Sequence, residues 1–130
     1  MKLFSIFFVL ITLCTISLGE SKDPGDFRTH RLDSPHQVGE TTLRVLLPNN
    51  LEAGKRYRVL YVLPVHEDGE FRHGDGLKEV RKHDYHNKYE LICVAPSFTS
   101  QPWFADNDLN PKMHDESHML KTVLPYVEEH

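Results

Sequence analysis

The chain has 130 residues, with 15 lysines and arginines against 19 aspartates and glutamates, and a net charge of −4 with its nine histidines neutral. That length supports one hydrophobic core and excludes two domains. An acidic balance with no basic stripe argues against nucleic acid as a partner. At the start, Lys2 supplies a positive region, Leu3 to Leu13 ("LFSIFFVLITL") an apolar one, and Ser17 and Gly19 small residues. This is the pattern of a secretory signal peptide over residues 1–19, cleaved before Glu20. The apolar run is short beside the ~20 residues a membrane span needs, so no stable membrane anchor is expected. Cys14 resembles a lipidation site, but Leu13 stands where a small residue belongs. The chain is therefore expected to be secreted, extracellular or periplasmic. Without residues 1–19, 111 residues carry 14 Lys+Arg (15 less Lys2) against 19 Asp+Glu, for a net charge of −5. Cys93 is then the one cysteine, which excludes an internal disulfide framework. Its place inside "LICVA" predicts a buried, inert thiol.

Glu20 to Thr29 ("ESKDPGDFRT") is polar, contains a Pro-Gly pair, and reads as a linker ahead of a single domain over 30–130. Two extended pieces, His30 to Val38 and Thr41 to Pro48, flank Gly39 and Glu40 and predict a hairpin. "NNLEAGKR" is a turn by composition. Val59–Leu63 and Leu91–Ala95 are continuous apolar runs, the pattern of parallel strands covered on both faces. Between them "GLKEVRKHDYHNKYE" predicts one amphipathic helix, capped by Asp75 and buried through Leu77 and Val80. The three elements make a βαβ unit with a right-handed crossover. His83 and His86 fall at the end of this helix, where histidine suits the negative terminus. Leu120, Val123, Leu124 and Val127 recur at i, i+3, i+4 and i+7 and predict a final helix. Asp115 and Glu116 suit its start, and Pro125 is expected to bend or break it. The fold class is α/β. A doubly wound pattern calls for another strand after the final helix.

Among the histidines, His114 and His118 in "HDESH" stand near the spacing of the H-E-x-x-H zinc motif, but position two is Asp115 and no third ligand follows. Polar residues facing solvent at a helix start are the expectation, and no metal site. The loop "HEDGEFRHGDG", His66 to Gly76, reads in two ways. Its charges suit a solvated rim. Its glycines at 69, 74 and 76, leading into a helix start, suit backbone N–H groups aimed at an anion or oxyanion. "SFTSQPWFADNDLNP", Ser97 to Pro111, follows the second apolar run and should lie beside that loop, since ligands bind beyond the carboxyl ends of such strands. Trp103, Phe104 and Asp106 in it form either a roof over the core or a pocket wall.

Taken in order, the hairpin, "LPNNLEAGKRYRVLYVLPV", the helix, "YELICVAPSF", "PWFADND" and "ESHMLKTVLPYVEEH" resemble the esterase branch of the α/β-hydrolases, which includes esterase D-like and feruloyl-esterase-like enzymes. The resemblance runs from about Phe27 to His130. It implies the N-terminal part of an α/β-hydrolase sheet (hairpin, βαβ with parallel strands, terminal helix), truncated before the nucleophile strand. It implies hydrolysis of small-molecule esters by serine chemistry, without a cofactor. In that family the loop after the third strand supplies an oxyanion-hole amide, often in a His-Gly-Gly type motif. The matching positions are Val65, His66 and Glu67, and the glycines are absent. Trp103, Phe104 and Asp106 line the substrate pocket by position. The family continues with a strand and a G-x-S-x-G nucleophile elbow. This sequence contains no G-x-S-x-G, and Ser97, Ser100 and Ser117 lie upstream of the nucleophile's place. The resemblance thus implies the oxyanion-loop half of an active site, and a bare edge on the strand Val59–Leu63 through which the chain would self-associate. Two other classes stay open: a secreted non-catalytic binding module that holds an ester or carbohydrate on the Trp103 loop, and a metal-binding domain using His114, His118 and a loop carboxylate.

Overall fold

In a computed structural model of the chain, residues 21–22, 27–65, 73–99 and 104–130 are described. The expected signal peptide lies outside them. Strand β1 is Ser21–Lys22, β2 is Arg28–Leu32 and β3 is Thr41–Leu46. The expected hairpin forms: β2 and β3 pair antiparallel from Arg28↔Val45 to Leu32↔Thr41. Its first strand lies earlier than His30–Val38. Phe27, within the span read as linker, is buried, and residues 33–40 make the connection instead. The Thr41 hydroxyl closes the hairpin by donating to the Leu32 carbonyl at 2.7 Å.

β4, Arg58–Tyr61, and β5, Leu91–Pro96, pair in parallel from Arg58↔Leu91 to Tyr61↔Val94. β3 pairs antiparallel with the other side of β5. Among the described residues the sheet order is β1-β2-β3-β5-β4, with β5 interior and β4 at the edge.

Among the described residues the crossover holds two helices, where a single one was expected. Helix α1, Gly76–Lys82, starts as predicted: the Asp75 carboxylate accepts from the amides of Leu77 and Lys78. It stops at His83, because Asp84 turns left-handed at φ 57°, a conformation aspartate tolerates better than most residues. Helix α2, Tyr85–Lys88, follows. His86 stands in the last turn of α2, and its side chain is buried. Gly76 is needed where α1 passes β4, since a Cβ there would stand 2.6 Å from a methyl of Val62.

The final helix comprises α3, Asp115–His118, a π-helical stretch over Met119–Val123, and α4, Leu124–Glu129. The dihedrals of Val123 and Leu124, just before Pro125, are helical. Pro125 has no amide hydrogen to give to the residue 121 carbonyl, and the wider turn just before it accommodates the missing bond.

Strand β5 alternates between two cores, which explains why its sequence is apolar without alternation. Cys93, with Leu91 and Ala95, joins Phe27, Leu46, Leu77, Val62 and Val80 under α1. Val94, with Ile92, joins Leu32, Leu43, Val45, Tyr61, Met119, Val123, Tyr126 and Val127 under the final helix. Cys93 is free and fully buried, and burial pushes its thiol up from the ordinary value. The final helix packs through Val123 and Val127 of the expected stripe, with Met119 and Tyr126, while Leu120 of that stripe is 54% exposed.

Candidate functional site

β4 and β5 are parallel, so both end at the same margin of the sheet, where the two loops singled out in the sequence begin. The last bond of this pairing is donated by the Val62 amide to the Val94 carbonyl at 2.8 Å. Beyond it β4 leaves the sheet through Leu63, Pro64 and Val65, and Val65 is exposed. His66 and Glu67, the other two oxyanion candidates, lie outside the described residues, as does Trp103.

After β5 the chain turns through Ser97, Phe98 and Thr99. The Ser97 amide donates to the Thr42 carbonyl, and its hydroxyl accepts from the Thr42 amide, both at 2.8 Å, which holds this end of β5 to β3. Phe104 resumes the loop with φ 56° and meets Phe98 edge-on, ring centroids 5.5 Å apart. Phe104 stays partly exposed, so it shields the core margin while presenting an aromatic surface outward. Asp106 is committed locally. Its carboxylate accepts from the amide of Ser117 at 2.9 Å and from its hydroxyl at 2.6 Å. Those bonds hold the acid below the usual carboxylate range. Asp106 thereby ties the aromatic loop to α3, as does the bridge between Asp106 and His114.

The same margin holds a buried polar group that no local sequence signal indicated. Gln37 donates to Asp115 at 3.0 Å and accepts from the Thr99 amide and hydroxyl at 3.0 and 3.1 Å. The Thr99 hydroxyl accepts from the Val38 amide. His118 Nδ1 shares a hydrogen bond with Ser34 at 2.9 Å, and Ser34 with Thr122 at 3.2 Å. Partners 60 to 90 residues apart in the chain leave no spacing to read. His118 was expected to face solvent and instead is fully buried, edge-on to Phe98. The neutral imidazole form costs less to bury than the charged one, and the Ser34 bond satisfies its Nδ1. Burial holds it below its ordinary value, opposed by the Ser97 backbone and by Asp115.

Asp115, Ser117 and His118 are buried at the start of the final helix, Met119, Val123 and Val127 face the sheet, and Leu120 is outside. The Ser34–His118 pair does not read as a nucleophile and its base. The hydroxyl engages Nδ1, Ser34 also meets Thr122 and the His36 amide, and no group in this cluster orients Nε2 as a triad acid would. Among the described residues no group of three histidine, cysteine or carboxylate side chains is placed to hold a metal ion.

On the far side of β3, Arg44 donates to Asp75 at 2.9 Å with both side chains mostly buried. It lies over the Phe27 ring at 4.6 Å, with Arg81 at 5.0 Å. Burial pushes the Asp75 carboxyl up, but the bond and charge of Arg44 and the Lys78 contacts outweigh it and leave the acid below its ordinary value. This strut ties the cap of α1 to β3.

No protein-family model matches the sequence, and no curated protein matches it. Similar solved structures are esterases. One is a thermostable esterase, with 18% identity and a TM-score of 0.51 over 81% of this chain and 30% of the other. Another is a CE1 ferulic acid esterase from the anaerobic fungus Anaeromyces mucronatus. Without substrate it matches with 22% identity and a TM-score of 0.50 over 88% of this chain and 48% of its own. In complex with ferulic acid it matches with 22% identity and a TM-score of 0.53 over 85% and 46%. The chain spans less than half the length of these esterases, and its mixed α/β fold is similar to part of theirs.

Proposed function

We propose that the chain is the N-terminal portion of a secreted serine ester hydrolase and carries the oxyanion-loop half of its active site. The observation that supports this most is the common margin of β4 and β5, from which both loops leave, in a fold similar to esterases over more than four fifths of the chain. Val65, His66 and Glu67 would follow β4 where a backbone amide can meet a developing oxyanion. Trp103 and Phe104 would form a wall for the substrate, with Asp106 fixing their loop to α3. The substrate class is a small-molecule ester. The ferulic acid bound to one neighbour makes an aromatic acyl group a reasonable first test.

The nucleophile would come from a G-x-S-x-G elbow that this sequence does not contain. Its second oxyanion amide would follow that serine. The chain alone should therefore not exceed the ~10³–10⁴-fold residual over water that an enzyme retains without its triad. The experiment is an aryl acetate and feruloyl ester assay with a serine-directed phosphonate as control. Turnover above that level, abolished by the phosphonate, would overturn the reading. Reading the DNA that follows the codon for His130 is the second arm, where a G-x-S-x-G in any frame within a few tens of codons is expected.

A further inference from the structure

We infer that Gln37 is a positioning residue: its buried amide fixes the aromatic loop after β5 to the first turn of α3, so that Phe104 is presented at the sheet margin in one place. The side chain lies in the connection between β2 and β3 and is 4% exposed. Burying an amide is costly unless its hydrogen bonds are met, and here both ends of it are used. Oε1 accepts from the Thr99 amide and hydroxyl at 3.0 and 3.1 Å, and Nε2 donates to Asp115 at 3.0 Å. The partners dictate the orientation, because a backbone N–H can only donate and an ionised carboxylate can only accept. Glutamine carries one acceptor end and one donor end, which is what the gap between Thr99 and Asp115 requires.

The loop is tied to α3 from both of its described ends. Thr99, at its start, reaches Asp115 through Gln37, and its hydroxyl also accepts from the Val38 amide at 3.0 Å. Asp106, at the other end, reaches the same turn by accepting from the amide and hydroxyl of Ser117 at 2.9 and 2.6 Å. Phe98 and Phe104, each close to one of these ties, meet edge-on. Two ties on one short helix hold the ends of the loop together, and the tie at the Thr99 end passes through Gln37. A loop held in one conformation before a ligand arrives spares binding the cost of ordering it. That the ligand is an ester rests on the function proposed above, whereas the clamp itself does not.

The test is amide hydrogen exchange on Gln37→Met, which keeps the length of the side chain and removes both polar ends. The Thr99 amide, bonded to Gln37, should lose about tenfold in protection, the size of one lost hydrogen bond. The Ser97 amide, bonded to the Thr42 carbonyl, should keep its protection. A role confined to overall stability would lower both alike. Gln37→Glu is the second arm, since it keeps an acceptor for Thr99 but sets a carboxylate against Asp115. Two carboxylates in contact raise one another's pKa, so Thr99 protection should be low near about pH 8 and return near about pH 5, where a shared proton replaces the amide's. Asp115, His36, His114 and His118 are the titratable groups around residue 37, so each pH is referred to the unaltered chain at that pH. If circular dichroism shows that the Met variant does not fold, the Glu comparison decides alone. Equal loss at Thr99 and Ser97, unchanged protection at Thr99, or a Glu variant indifferent to pH would each overturn the proposal. Calorimetric titration with methyl ferulate separates the clamp from the ester reading. Binding that Gln37→Met weakens about fivefold supports both, and equal binding by the two proteins overturns the positioning role. No binding by the unaltered chain counts against the ester reading alone, and the exchange result still decides the clamp.

Discussion

β5 and β4 lie side by side, paired over four residues, and each presents an unbroken apolar run, yet only β5 is core. Cys93 and Val94 sit at opposite faces of β5, with 0% and 1% of their surface exposed. The β4 residues in register with Ile92 and Cys93, Val59 and Leu60, keep more than a third of theirs. The chemistry of the two strands is nearly the same, and the difference is position. β5 has a strand on each side, with α1 below it and the final helix above. Among the described residues β4 has a neighbouring strand on one side, and its residues in the two cores are Tyr61 and Val62. An apolar run measures how much burial a strand can use, while its place in the sheet decides how much it receives.

The sharpest way to break this comparison is to put the same charge into both strands. Val94→Lys should abolish cooperative unfolding, because an unpaired buried charge costs several kcal/mol against a domain stability of ~5–15 kcal/mol. Val59→Lys should leave the far-ultraviolet spectrum unchanged and raise solubility. Similar loss of structure in both would mean that β4 is as buried as β5.

The next effect tests what holds α1 over the sheet. Asp75→Ala removes a helix cap and leaves Arg44 without its carboxylate, so chemical denaturation should show a loss of about 3 kcal/mol. Because the folded acid titrates below its ordinary value of 3.8, its contribution is full above that value and is lost as pH falls through the lower, folded one. The variant should lack that acid limb. Equal acid profiles for the two proteins would remove Asp75 as its source.

Gly76→Ala probes the limit of cover over β4, where α1 touches Val62. Overpacking at such a contact typically costs about 1–3 kcal/mol. A neutral result would show that Val62 is free to move and that cover ends one residue earlier. His118 supplies a smaller, pH-dependent effect on the other face. Its folded value lies below the ordinary 6.5, so the unfolded chain binds the proton first. Stability is then full above 6.5 and falls as pH drops below it. His118→Gln should flatten melting temperature against pH on the acid side of neutrality, and an unchanged slope would assign the dependence to another group. Smallest of all is Val59→Ala, expected within about 0.5 kcal/mol, as surface changes usually are. A loss near the ~2 kcal/mol that removing two buried methylene equivalents would cost would contradict an exposed edge.

Local pattern alone was enough for the elements whose determinants are near in sequence. The hairpin around Gly39, the Asp75 cap, the two apolar strands, the buried thiol and the helix ending the chain all rest on neighbours within a few positions, where propensity, periodicity and turn chemistry act. The loops beyond β4 and β5 were likewise marked by an abrupt change from apolar to polar residues. Tertiary structure decided what depends on distant partners. The sheet order made β5 interior and β4 an edge, though both runs read alike. Gln37, Thr99 and Asp115, and Ser34 with His118, converge from segments far apart in the chain, and the final helix packs through Val123 and Val127 of the stripe its spacing suggested while Leu120 stays outside. Asp84 ended α1 by adopting a left-handed backbone that no pattern of apolar residues encodes. Burial is a property of the space a residue is placed in, and periodicity states only which side of an element is prepared for it.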